Sequence, residues 1–189
     1  MAVGILGGVF DPPHLGHVAL ARAAIRELGL EELLVLVVAD PGHKSATTSA
    51  EARLELAQLA FADVPEASVE LDLNARTVDA LEQRRPTDAV FILGADELAD
   101  FQGWKSPGRV LQLVRLGVAM RPGVPRDDVQ AVRERLGAGD RIVEFALEPV
   151  PISSSEIRQR VARGEAIDEL VPRGVADAIS RLGVYAAPE

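Results

Sequence analysis

Short apolar runs alternate with stretches of helical spacing along this chain. Val3 to Leu6 is an apolar run closed by Gly7-Gly8, the pattern of a buried parallel strand. From Leu15 to Leu28 the apolar residues fall at Leu15, Val18, Ala21, Ile25 and Leu28, which is helical spacing, and Gly29 supplies the stop. Leu33 to Val38 is a second buried strand, so the chain opens with a βαβ unit. Ser49 reads as the N-cap of a helix running to about Phe61. Ser68 to Leu73 is a strand, Thr77 to Arg84 a short helix and Ala89 to Leu93 another buried strand. Two short helical pieces follow, then a strand from Leu116 to Met120, a helix from Asp127 to Leu136 and a last strand from Arg141 to Phe145. The remainder reads as helical. Strands alternating with helices place the chain in the α/β class, with a mostly parallel sheet covered on both faces. No repeat, low-complexity tract or linker divides the sequence, so residues 1–189 are expected to form a single domain.

Composition narrows the partners. The chain is 48% hydrophobic and 26% charged, as in an ordinary soluble globular protein. Its formal net charge of -9 sets up a field that repels nucleic acid and anionic membrane surfaces, so neither is an expected partner. With no cysteine there is no disulfide framework, thiolate nucleophile or cysteine-bound zinc. The run from Leu33 to Ala39 falls far short of the roughly 20 residues that span a bilayer. No secretory pattern is visible at the N-terminus, and a cytoplasmic location is expected. A homo-oligomer is compatible with this composition and is not specified by it.

The polar chemistry is concentrated. The three histidines are His14, His17 and His43, and the two lysines are Lys44 and Lys105. All three histidines and Lys44 fall in the loops after the first two strands, which a parallel sheet places side by side at one edge. In the first loop, Gly7-Gly8 admits a ligand close to the backbone, and His14 and His17 lie three apart at a helix start. Such a terminus attracts anions through its free amides and dipole. The second loop, Asp40 to Lys44, adds a cation. Near the C-terminal end, Ile152-Ser153-Ser154-Ser155-Glu156-Ile157-Arg158 reads as a capping box, with Glu156 three residues after Ser153 and Arg158 one turn into the helix. Together these groups describe a polyphosphate cradle. Each has an ordinary alternative: a tight strand exit, a polar helix start, a solvated lysine, a plain helix cap.

The pattern Gly8-x-Phe10-Asp11-Pro12-x-His14-x-Gly16-His17, followed by Ile152-Ser153-Ser154-x-x-Ile157-Arg158, resembles the nucleotidylyltransferase superfamily marked by a His-x-Gly-His signature. The segment Gly94-Ala95-Asp96 through Phe101 to Trp104, and the stretch from Val171-Pro172 to Tyr185, are similar to bacterial nicotinate-mononucleotide adenylyltransferases. The resemblance implies a Rossmann-like, doubly wound fold. It also implies in-line attack by the phosphate of nicotinic acid mononucleotide on the α-phosphorus of Mg-ATP, giving deamido-NAD and pyrophosphate without a covalent intermediate. Mg2+ would be held mainly by the ATP phosphates, with no protein metal site.

By the same resemblance His14, His17, Lys44 and Arg158 act on the phosphates, while Gly7, Gly8, Phe10, Asp96, Ile152 and Ser153 hold ATP. Lys44, Arg76, Thr77, Asp96 and Trp104 hold the mononucleotide, with Asp96 on a ribose hydroxyl and Trp104 stacked on the pyridine ring. Two departures stand out. The family's Pro-x-x-x-Pro-Pro-His-Lys becomes Val37 to Lys44, and its Tyr-Thr-x-Asp-Thr becomes Arg76-Thr77-Val78-Asp79-Ala80. Arg76 is expected to bind the acidic pyridine or its phosphate. Nicotinamide mononucleotide, phosphopantetheine and alcohol phosphates stay open as acceptors. A metal-dependent hydrolase using the three histidines and a nucleotide-binding module without catalysis are the alternative classes.

Overall fold

The structure, a computed structural model, describes residues 2–41, 46–121 and 126–187. Among them the chain runs β1 (Val3–Gly8), α1 (Leu15–Leu28), β2 (Glu32–Val38), α2 (Ala50–Ala60), β3 (Ala67–Asp72), α3 (Thr77–Arg84), β4 (Ala89–Gly94) and α4 (Ala95–Asp100). It continues through α5 (Pro107–Leu113), β5 (Arg115–Met120), α6 (Arg126–Arg135), β6 (Ile142–Ala146), α7 (Ser154–Ala162) and α8 (Arg173–Leu182). The boundaries of α1 and α3 match the sequence expectation. The β4–β5 connection is more broken than expected, with a 3-10 turn at Phe101–Gly103 between its two short helices.

Local chemistry explains the helix ends. Ser49 Oγ accepts from Ala52 N at 3.2 Å and caps α2. Gly29 closes α1 at φ 62, a left-handed turn that a side chain would strain.

The described strands form one all-parallel sheet in the order β3-β2-β1-β4-β5-β6. That is the Rossmann-like, doubly wound arrangement. Successive strand residues feed opposite faces. Leu6, Val35, Val37 and Ile92 join the core shared with the buried faces of α1, α2 and α8. Ile5, Leu36, Phe91 and Leu93 join a second core with residues of α3, α4, α5 and α6.

The order reverses between β1 and β4, where a ligand crevice is expected. Pairing of β1 with β2 continues to Gly8↔Val37, whereas pairing of β1 with β4 stops at Leu6↔Ile92. The two central strands thus part before either ends, and Gly7, Gly8 and Gly94 flank the opening. No helix among the described residues is long and apolar enough to cross a membrane.

Candidate active site

The paired histidines sit at the start of α1, directly beyond this opening. His14 is the N-cap residue, and its backbone N–H donates to Nδ1 of His17 at 3.2 Å. That bond leaves the His17 proton on Nε2, so the free edge of the ring is a donor. The two ring centroids are 3.8 Å apart. Gly16 makes this possible, because a Cβ there would lie 3.0 Å from the His14 ring. Burial pushes the pKa of His14 down to about 4. Burial, then the neighbouring His14, pushes His17 down to about 3. Both rings are therefore neutral near pH 7 and offer N–H groups rather than charge. Nδ1 of His14 is buried with no hydrogen-bond partner among the described residues.

Phe10 supports the pair from behind. It is buried and turns the loop at φ 51, and its ring meets His17 edge-on at 5.0 Å and Phe61 at 5.9 Å. Its side chain faces protein, so any nucleotide contact from Phe10 falls to its backbone.

The C-terminal motif docks on the same loop. Arg158 donates to the Asp11 carbonyl at 2.6 Å and to Ser155 Oγ at 3.2 Å, and Ser154 Oγ donates to the Pro12 carbonyl at 2.8 Å. Ile157 anchors α7 in the core with no exposure. Ser153 Oγ accepts from Glu156 N at 3.1 Å, as the cap requires. The reciprocal half of the expected capping box is absent, because Glu156 pairs with Arg160 at 2.8 Å instead. An i,i+4 ion pair on the outer face outcompetes reach-back to the Ser153 amide. Ile152 is half-buried and Ser153 exposed at this junction. The sequence-separated histidine and arginine motifs thus share one wall. Lys44 and His43, the expected contribution of the second loop, lie outside the described residues.

Three supporting residues had no role in the sequence reading, although Asp11 and Tyr185 stand within its motifs. Asp11 is 5% exposed; its Oδ2 accepts from Thr47 N at 2.6 Å and its Oδ1 from the Tyr185 hydroxyl at 2.7 Å. Burial and the bond to Asp11 push the Tyr185 phenol well above its ordinary pKa. Tyr185 itself follows α8, two residues beyond the Gly183 cap. Arg53 is 1% exposed and donates to the carbonyls of Val9 (2.8 Å), Val38 (2.7 Å) and Ala39 (2.9 Å). Its guanidinium stitches the exits of β1 and β2 together. Burial lowers its pKa, opposed by Asp11 and Tyr185.

Beside the opening lies a cavity of about 640 Å³, an ordinary size for a small-molecule site. Gly7, Gly8, Arg76, Thr77, Trp104 and Lys105 are among the residues that line it. Trp104 is half-buried, set edge-on to Phe91 at 5.8 Å and tilted on Phe101 at 5.1 Å. The first turn of α3 faces this space. Its backbone bonding begins at Asp79 N, so the amides of Thr77 and Val78 have no intrahelical acceptor. Asp96 lies outside this cavity lining; it is exposed and ion-paired with Arg121. Among the described residues no group of three or more His, Cys, Asp or Glu is placed to hold a metal ion.

An open parallel sheet with two histidines and an arginine brought together beside its switch point defines a protein of the Rossmann-like class. Residues 5–160 match the cytidylyltransferase-like family. The chain is 36% identical to a probable nicotinate-nucleotide adenylyltransferase of Rubrobacter xylanophilus, covering 99% of this chain and 93% of that one. It is 37% identical to the protein of the same name in Thermus thermophilus, covering 98% and 100%. The chain belongs to the cytidylyltransferase-like family and, within it, to the nicotinate-nucleotide adenylyltransferases. Its fold superposes on the nicotinic acid mononucleotide adenylyltransferase of Plasmodium falciparum complexed with NaAD, with a TM-score of 0.76 at 16% identity over 97% of both chains.

Proposed function

We propose that this enzyme transfers the adenylyl group of Mg-ATP to nicotinic acid mononucleotide, forming deamido-NAD and pyrophosphate in NAD biosynthesis. The observation that carries the reading is the shared wall of His14, His17 and Arg158 on the loop after β1, a strand whose last residues, Gly7 and Gly8, line a cavity together with Trp104. A polyanion and a ring-bearing mononucleotide then meet at the parted ends of β1 and β4.

The acceptor phosphate is already ionised, so the attack needs no general base. An acceptor oxygen bonds to the α-phosphorus as the bond to the bridging oxygen of pyrophosphate breaks on the opposite side. Catalysis consists of alignment and of neutralising charge on the phosphoryl oxygens. His14 and His17 donate neutral N–H groups to the ATP phosphates, and Arg158 adds the cationic fork. Lys44 supplies a second cation between ATP and the mononucleotide. Backbone groups at Gly7, Gly8, Phe10, Ile152 and Ser153 cradle ATP, and Asp96 takes a ribose hydroxyl on leaving Arg121. Trp104 stacks on the pyridine ring, while Thr77 and Arg76 receive its acidic group or the mononucleotide phosphate. Mg2+ enters as part of the substrate Mg-ATP. We place the reaction in the cytoplasm.

An acceptor panel tests this reading. Pyrophosphate release is measured from Mg-ATP with nicotinic acid mononucleotide, nicotinamide mononucleotide, phosphopantetheine and an alcohol phosphate. The acid mononucleotide is expected to give the highest kcat/KM. Preferential use of phosphopantetheine or an alcohol phosphate would sink the substrate assignment.

A further inference from the structure

Lys105 follows Trp104 directly and lines the cavity. Its ammonium lies 2.8 and 2.9 Å from the two oxygens of Asp79. Asp79 is the third residue of α3, so this pair ties the ammonium to the first helical turn, in which the amides of Thr77 and Val78 have no intrahelical acceptor. Asp79 fixes the direction of a flexible side chain and occupies two of its three donors, leaving one for a ligand. The lysine is not needed merely to tie α3 to the Trp104 segment. Arg109 already joins the following α5 to α3 through Glu82 at 2.8 Å.

The charges around the cavity give this ammonium a use. Asp72, Glu97 and Asp100 also line it, so an acidic ligand needs a cation at the point where its carboxylate lies. Two described cations line the cavity, Arg76 and Lys105. Arg76 is exposed and bonds the carbonyl of its own neighbour Ala75 at 3.1 Å. Lys105 adjoins the one tryptophan, where an aromatic ring has a stacking partner.

We propose that Lys105, oriented by Asp79, selects an acidic over an amide pyridine ring by pairing its ammonium with the ring carboxylate. This rests on the reading of the acceptor as a pyridine mononucleotide. A carboxylate offers two charged acceptors to the ammonium and the α3 amides. A carboxamide offers one neutral oxygen and turns N–H donors toward groups that are themselves donors, which forfeits the charge-assisted bond.

The test compares nicotinic acid mononucleotide and nicotinamide mononucleotide as acceptors for the wild type, Lys105→Met and Asp79→Asn. Lys105→Met is expected to raise KM for the acid about tenfold, the size of a partly exposed charge-assisted contact, with kcat and the amide KM little changed. The acid-to-amide ratio of kcat/KM then falls by the same factor. Asp79→Asn keeps the ammonium but removes the carboxylate that aims it, and is expected to lower the same ratio by less than Lys105→Met does. An unchanged ratio in Lys105→Met overturns the proposal while adenylyl transfer to the acid still stands. Equal losses on both acceptors in both variants overturn it in favour of a structural tie. A wild type that uses neither acceptor removes both this inference and the reading beneath it.

Discussion

The Tyr185 hydroxyl donates to Oδ1 of Asp11 at 2.7 Å, joining residues 174 positions apart. The other oxygen of that buried carboxylate accepts from Thr47 N at 2.6 Å, while Arg158 reaches the Asp11 carbonyl. One aspartate therefore connects the histidine loop, the chain entering α2, α7 and the segment after α8. Tyr185→Phe deletes one of these ties and leaves a buried oxygen short of a donor. It is expected to cost about 1–2 kcal/mol in urea unfolding and to raise KM for ATP more than KM for the mononucleotide. Equal KM changes for the two substrates would show that the tie does not act through the phosphate wall.

Arg53 presents a sharper case. Its guanidinium holds three backbone carbonyls at the exits of β1 and β2 while 1% exposed. Arg53→Met orphans all three and is expected to destabilise the protein by about 3 kcal/mol or more. Arg53→Lys recovers part of that, since an ammonium cannot reproduce the planar fork. Chemical unfolding of both variants checks the order; equal stability of wild type and Arg53→Met would refute it.

Gly16→Ala separates stability from catalysis. Alanine favours the helix by up to about 1 kcal/mol, yet its Cβ would meet the His14 ring at 3.0 Å. The imidazole must shift, and kcat is expected to fall about tenfold or more with stability unchanged or increased. Thermal unfolding and steady-state kinetics on the same preparation decide it.

The histidines also set a pH dependence. Both have folded pKa values below the ordinary 6.5, at about 4 for His14 and about 3 for His17. Between those values the unfolded chain binds more protons than the folded one. Stability is therefore full above about pH 6.5 and declines as pH falls towards 4 and 3. His17→Asn is expected to flatten this part of the profile in urea titrations. A variant whose midpoint falls as steeply as the wild type's between pH 6.5 and 4.5 would contradict the burial of His17.

The elements were readable because buried parallel strands are nearly continuous apolar runs and helices carry a regular stripe. Leu15–Leu28 and Thr77–Arg84 came out at their observed limits. The phosphate motifs were readable as well, since their chemistry depends on close spacing within a loop or first turn. The network beneath them was not, because the Asp11–Tyr185 and Arg158–Asp11 contacts span 174 and 147 positions. One signal was available for Arg53: it shares the buried face of α2 with Leu56, Ala57 and Ala60, and a lone cation in such a stripe needs buried acceptors. Glu156 misled for the opposite reason. Its spacing from Ser153 fits a capping box, but Arg160 one turn away offers a charged partner.

The central claim is adenylyl transfer to nicotinic acid mononucleotide at the His14–His17–Arg158 wall. The most direct measurement follows Mg-ATP and that acceptor to products with wild type and His17→Ala, quantifying deamido-NAD and pyrophosphate together. The account predicts equal amounts of the two products from the wild type and a loss of about a hundredfold or more in kcat for the variant. Pyrophosphate formed without deamido-NAD, or a variant as fast as the wild type, would contradict it.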